Sequence, residues 1–87
     1  MENTSAEYRD IDINKLLTDM ARAIVDEPDL VSVSEEENES GTVLTLHVAE
    51  GGMGMIIGKH GKIARALRTV TKAAAKISDK KVTVEIR

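Results

Sequence analysis

The chain of 87 residues has no cysteine, no phenylalanine and no tryptophan, and Tyr8 is its one aromatic residue. Without cysteine it forms neither disulfides nor a metal site built on thiolates. With one aromatic residue it cannot offer a surface that stacks bases on a row of aromatic rings. No apolar run approaches the roughly 18 residues of a membrane span, and the polar N-terminus is unlike a signal peptide. We therefore expect one small cytoplasmic domain.

The charge of the chain is low in total but unevenly distributed. The formal net charge is −3. Residues 1–50 contain three basic and thirteen acidic side chains, whereas residues 51–87 contain nine basic and two acidic ones. Because a surface field depends on local charge, the total does not argue against an anionic partner. The second segment is therefore where we expect such a partner to bind.

The first half of the chain is typical of a helix followed by a hairpin. Apolar residues at helical spacing from Ile13 predict a helix that is capped by Asp10 or Asp12 and that Pro28 ends near residues 26–27. Alternating runs at 30–36 and 42–49, joined by polar residues, predict an antiparallel hairpin with Gly41 in its turn. The second run places Leu44, Leu46 and Val48 on one face and Val43, Thr45 and His47 on the other.

The second half predicts two helices and a strand. A short apolar helix is expected at 53–57, and a long one at 62–77. Its apolar stripe is formed by Ile63, Leu67, Val70, Ala74 and Ile77. A last strand at 81–87 places Val82, Val84 and Ile86 on one face. The order α-β-β-α-α-β predicts a two-layer α+β domain at 11–87, with three helices on one face of a three-stranded sheet. Residues 1–10 are expected to be a flexible tail.

The segment Gly58-Lys59-His60-Gly61, between the two predicted helices, is the candidate binding loop. Two glycines three positions apart permit a tight reversal that exposes the main chain. A phosphodiester can then reach the free N–H groups and the positive dipole end of the next helix. Lys59, His60 and Lys62 add charge there, and His60 is a candidate pH-sensitive phosphate donor or a plain loop-tip side chain.

Two other phosphate-binding loops do not fit this segment. A P-loop requires glycine at position 53 and serine or threonine at position 60, where the chain has Met53 and His60. The dinucleotide pattern fails as well, since three residues after Gly54 precede Gly58 instead of two.

With its flanks, the loop resembles a known family. The run from Gly54 to Ala64 is similar to the Ile-Gly-x-x-Gly signature of KH RNA-binding domains, and the order of elements resembles their type II, bacterial arrangement. Over residues 11–87 the chain is similar to small bacterial proteins made of one KH domain, the KhpA group. The supporting segments are Asp26-Glu27-Pro28, Met53-Gly54 and Arg68-Thr69-Val70-Thr71-Lys72-Ala73-Ala74-Ala75.

The resemblance implies a cleft for about four nucleotides of single-stranded RNA or DNA, clamped by the loop. It assigns phosphate contacts to Gly58, Lys59, His60 and Gly61, and the base groove to Gly54, Met55, Ile57 and Ala64. Lys62 and Arg65 lie beside the loop and are further candidate phosphate contacts. The chain departs from the family at two positions. Many KH domains have a large aliphatic residue at the position of Ala64, whereas this chain has its large aliphatic residue, Ile63, one position earlier. At Met55 we expect a basic residue.

The remaining residues indicate binding and not catalysis. No nucleophile–base pair or cluster of metal ligands is found, so we expect no enzymatic activity, no cofactor and no metal. Arg68, Lys72 and Lys76 are interpreted as a solvated outer face of the long helix. A single cleft binds weakly, which predicts an RNA chaperone or adaptor that self-associates or joins a larger KH-containing protein, as the resemblance also implies. The alternative is a protein–protein module that uses the acidic half or the Val43/Thr45/His47 face.

Overall fold

The computed structural model describes residues 11–87, and within them the predicted elements occur in the predicted order. The expected flexible tail at 1–10 lies outside the described residues. The elements are α1 Ile13–Ile24, β1 Ser32–Asn38, β2 Gly41–His47, α2 Met53–Ile57, α3 Lys62–Ile77 and β3 Val82–Ile86, with short 3-10 turns at Pro28–Leu30, Glu50–Gly52 and Lys59–Gly61. The predicted α+β class is confirmed.

The sheet has the order β1-β2-β3 and mixed pairing. β1 and β2 form the expected antiparallel hairpin, with Val33 opposite Leu46. β3 pairs with β2 in parallel, so the connection between them crosses over through α2 and α3. Because Ile86 pairs with Leu46, the end of β3 lies far from the hairpin turn. This register brings the end of β3 beside the loop that joins α2 and α3.

The first helix begins as predicted but ends earlier. The Asp12 carboxylate accepts a hydrogen bond of 3.0 Å from the backbone N–H of Lys15, which is the N-cap interaction. The helix was expected to end near residues 26–27, but its last residue is Ile24. Val25 leaves the helix in an extended conformation because its side chain packs against the core.

The hairpin turn is shorter than predicted. The polar residues from 37 to 41 were expected to form it, but pairing continues to Asn38 and Gly41, so the turn contains Glu39 and Ser40 alone. Charged side chains are compatible with an exposed edge strand, and their polarity therefore did not mark the end of β1. Gly41 has the expected positive φ, and a Cβ there would lie 2.5 Å from the carbonyl oxygen of Lys81.

The core lies between the helices and one face of the sheet. Leu44, Leu46, Val82 and Val84 are buried on that face, as the strand alternation predicted. The opposite face of β2 is more open, with His47 exposed. The helices bury mainly Ile13, Leu17 and Ala21 of α1, Ile56 of α2, and Ala64, Leu67, Thr71, Ala74 and Ala75 of α3.

The predicted apolar stripe of α3 is wrong at two positions. Leu67 and Ala74 are buried, but Val70 is 45% exposed and Ile77 is 57% exposed. The helix is rotated toward Ala64, Thr71 and Ala75, whose small side chains allow close packing against the other elements. Within residues 11–87, no helix has both the length and the apolar character needed to cross a membrane.

Thr71 generates a prediction about stability. It is fully buried, and its hydroxyl has no hydrogen-bond partner within the described residues. Thr71→Val keeps the branched shape and removes the unsatisfied group, so we expect the free energy of unfolding to rise by about 1 kcal/mol. In a domain of this size the melting temperature should rise by about 4–8 °C. Thr69→Val, on the exposed side of the same helix, is the matched control and should change little. A lower urea midpoint for Thr71→Val would contradict the expectation.

Candidate nucleic-acid interface

The short helix α2 is anchored by one side chain. Ile56 is fully buried, whereas its neighbours Met55 and Ile57 are 39% and 43% exposed. The Gly58 N–H donates to the carbonyl oxygen of Gly54 at 2.9 Å and ends the helix. Two large apolar side chains are therefore held at the surface immediately before the loop.

The loop has an unusual backbone. Gly58, His60 and Gly61 have φ values of 71°, 59° and 74°. With ψ at −179°, Gly58 occupies a region that is essentially restricted to glycine. A Cβ at Gly58 would also overlap the side chain of Ile63 and lie 2.9 Å from its Cβ. Gly58 is thus required by conformation and by packing, and Gly61 by conformation alone, since the nearest atom to a Cβ there is 3.6 Å away.

No side chain caps the N-terminus of α3, although the backbone N–H of Lys62 donates to the carbonyl oxygen of Lys59. Gly61 is the N-cap residue and has no side chain to satisfy the first N–H groups of the helix. That end also carries the positive pole of the dipole of a 16-residue helix. Lys59, His60 and Lys62 are exposed around it. The atom 3.6 Å from a Cβ at Gly61 is Nη1 of Arg65, so the guanidinium lies against the loop. The arrangement suits a phosphate group.

A cleft of about 290 Å³ begins at the loop and lies between α2, α3 and the end of β3. It is lined by Met53, Ile57, Gly61, Ala64, Arg65, Arg68 and Ile86. The lining combines aliphatic groups with two guanidinium groups. Such a surface can contact base edges and phosphates without aromatic stacking.

The residues proposed from the sequence fall into three groups. Ile57, Gly61, Ala64 and Arg65 line the cleft. Gly58, Lys59, His60 and Lys62 form or flank the loop. Gly54 and Met55 are exposed on α2 outside the cleft lining. An added Cβ at Gly54 would have no atom within 4 Å, so nothing within the described chain requires glycine there.

Three lining residues were missed, and one interpretation is corrected. Arg68 was expected on a solvated face, but it is half-buried, and its Nε donates to the carbonyl oxygen of Val84 at 3.3 Å. The cause is the rotation of α3. Met53 lies four positions before Ile57, one helical turn away, and this spacing is a signal that could have found it. Ile86 reaches the cleft through the parallel register of β3, which the alternation of apolar residues does not reveal.

The potential metal-ligating side chains of the described residues are dispersed. Among residues 11–87, no group of three or more histidine, aspartate or glutamate side chains gathers where a metal ion could bind. Two exposed ion pairs are formed there, Lys15 with Asp19 on α1 and Arg87 with Glu85 at the end of β3, and neither includes a residue of the loop or of α3. The cations at the loop are therefore available to an external anion.

Comparison with known proteins agrees with the geometry. A family model described as the KH domain of KhpA/KhpB matches residues 14–86. The chain is 50% identical over 74 residues to the RNA-binding protein KhpA of Clostridium acetobutylicum, covering 85% of this chain and 99% of that protein. It is 45% identical over 74 residues to the protein of the same name from Caldanaerobacter subterraneus, with the same coverage. For that from Treponema pallidum, the identity is 44% over 72 residues, covering 83% and 90%.

The two loop glycines predict unequal losses of stability. Gly58→Ala combines backbone strain with a clash against Ile63, so we expect the free energy of unfolding to fall by about 3 kcal/mol. Gly61→Ala adds a side chain that meets only an ordinary contact with Arg65 Nη1 at 3.6 Å, so it should cost about 1 kcal/mol through the left-handed conformation alone. Urea denaturation of both variants measures the difference. Equal losses would contradict the role given to the Gly58–Ile63 contact.

Proposed function

The chain belongs to the KhpA/KhpB family of KH domains, and from that membership we propose that it is a non-enzymatic protein that binds single-stranded RNA. The observation that carries the proposal is the N-terminus of α3, which no side chain caps and which the Gly58–Gly61 loop places beside the cleft. The printed names of the relatives, RNA-binding protein KhpA, support the same ligand.

In this proposal the RNA backbone lies across the loop. The main chain of Gly58, Lys59, His60 and Gly61 faces the phosphates, and Lys62 and Arg65 neutralise them. The bases enter the cleft against Ile57 and Ala64. Because most contacts reach the backbone or the apolar edges of bases, we expect weak, salt-dependent binding with low sequence selectivity. Single-stranded DNA, which offers the same phosphates, is expected to bind as well.

Gly54 and Met55 are proposed to contact the RNA at the rim of the cleft. Glycine inside a helix costs stability, and Gly54 has no neighbour that demands it. A close approach by the ligand accounts for a residue without a side chain at this exposed position.

One such cleft is a weak binding unit, so we propose that the protein acts as an RNA chaperone or adaptor in the bacterial cytoplasm with help from a second binding unit. That unit is another copy of the chain or a larger KH-containing protein, and linkage to it would raise avidity. Val70 and Ile77, exposed on α3, provide apolar surface for such a contact. The same two residues favour the alternative in which protein binding is primary and RNA contact is secondary.

Reversing the charge of the loop should abolish most binding. Lys59→Asp combined with His60→Asp places two carboxylates where phosphates would lie, so we expect an affinity loss of about tenfold or more for a short oligonucleotide. Aspartate tolerates the left-handed conformation of residue 60, so the melting temperature should hold. Titration with labelled RNA and DNA measures the effect.

The control reverses two exposed lysines that follow the C-terminus of α3, Lys80→Asp and Lys81→Asp, and should lose much less. Unchanged affinity of the folded loop variant would reject the proposed clamp. Sedimentation of the same samples tests self-association. A wild-type chain that stays monomeric with and without RNA would reject the homodimer.

Gly54→Ala should separate stability from binding. Alanine favours the helix, so we expect the free energy of unfolding to rise by about 0.5–1 kcal/mol. The added methyl group lies where the RNA would approach, and a cost of about 1 kcal/mol corresponds to an affinity loss of about fivefold. Gly51→Ala is the matched control, since Gly51 is equally open but outside the site. Full RNA affinity in Gly54→Ala would remove this residue from the interface.

A further inference from the structure

The outer surface of α3 carries charge of one sign. Its 16 residues include five cations and no acidic side chain. The cations are Lys62, Arg65, Arg68, Lys72 and Lys76. All are exposed except Arg68, which is half-buried, and none of them takes part in an ion pair within residues 11–87.

Three of these cations form a row that begins in the cleft. Arg68 lines the cleft and is fixed beside β3 by its hydrogen bond to Val84. Lys72 follows four positions later and Lys76 four positions after that, each about one helical turn further along the same side. The row continues the cationic wall of the cleft, and from Arg65 to Lys76 the rise is about 16 Å.

This row is unfavourable for the isolated helix. Like charges four positions apart destabilise a helix by about 0.2–0.5 kcal/mol for each pair, and Arg68, Lys72 and Lys76 make two such pairs. Thr69 and Ala73 are exposed on the same helix, and an acidic residue at either position would offset the repulsion. On α1 the chain does pair an exposed lysine in this way, Lys15 with Asp19. No acidic side chain of α3 offsets this repulsion, so an anion bound along the row would reduce it.

We propose that Arg68, Lys72 and Lys76 bind the phosphates of the RNA strand as it leaves the cleft, so that the footprint exceeds about four nucleotides. The inference rests on the proposed function. Continuity with the cleft favours the RNA over an acidic protein, because a strand held at the loop supplies regularly spaced phosphates to the next turns of the helix. Lysine, a flexible point charge, suits contacts that do not depend on base identity.

The test compares RNA length in one pair of variants. Lys72→Gln combined with Lys76→Gln should leave the affinity for an oligouridylate of about four nucleotides unchanged. For an oligouridylate more than twice that length, the slope of log K against log salt should fall in magnitude by about 1.4 for two lost contacts. At about 0.1 M salt, the variant should therefore bind the long RNA up to about 25-fold more weakly than the wild-type chain does. Nuclear magnetic resonance titration suits the weak short complex, and circular dichroism checks the fold.

The control variant, Lys15→Gln combined with Lys81→Gln, removes the same number of positive charges at exposed positions off the row. A loss confined to the long RNA and to the row variant supports the inference. An equal loss for both RNA lengths, or an equal loss in the control, shows a general field and rejects it. Equal affinity of the wild-type chain for the two lengths also rejects it. A wild-type chain that binds neither RNA rejects the proposed function itself.

Discussion

The contact between Ile63 and the backbone of Gly58 is the constraint on which the candidate site depends. It lets the chain reverse from α2 to α3 within four residues. Ile63, in the first turn of α3, packs against Gly58, the first residue of the loop. This tight reversal leaves Gly61 as an N-cap with no side chain, so no side chain covers the positive end of the α3 dipole, although the Lys62 N–H donates to the carbonyl oxygen of Lys59. It also holds Ile57 and Ala64 on two walls of one cleft. A longer connection would separate these walls.

The rotation of α3 determines what each side of that helix can do. Small side chains, Ala64, Ala74 and Ala75, face the core and allow the helix to pack closely. As a result Arg68 is drawn to the cleft beside β3, and Val70 and Ile77 remain exposed on another side. One helix thus has a buried face, a cationic side and an exposed apolar side. The same helix thus lines the proposed RNA cleft with charge and carries the apolar surface proposed for association.

Local signals were sufficient for some features and not for others. The bounds of α2 and α3 agree with the prediction because glycines at 52, 58 and 61 end or begin these helices through the chain's own conformation. The predicted end of α1 was wrong because Val25 leaves the helix and packs against the core. The predicted hairpin turn was wrong because glutamates on an exposed edge strand can still pair with β2. The rotation of α3, and with it Arg68 and Ile86 in the cleft, follows from packing and parallel register. The spacing of apolar residues predicts neither the packing nor the register, since alanine can occupy a buried or an exposed position.

Segregated charge explains how a chain of net charge −3 can still present a nucleic-acid interface. On the open face of the sheet, Glu36 lies opposite Val43, and Glu85 lies beside Thr45. The Glu36 carboxylate repels a phosphate backbone, the Glu85 carboxylate is paired with Arg87, and the cations of α3 attract the backbone. In the proposed complex, these charges would leave the strand one favourable path, over the loop and along α3. In that complex, charge placement would select the surface that the strand follows, and the aliphatic lining of the cleft would take the bases without aromatic stacking.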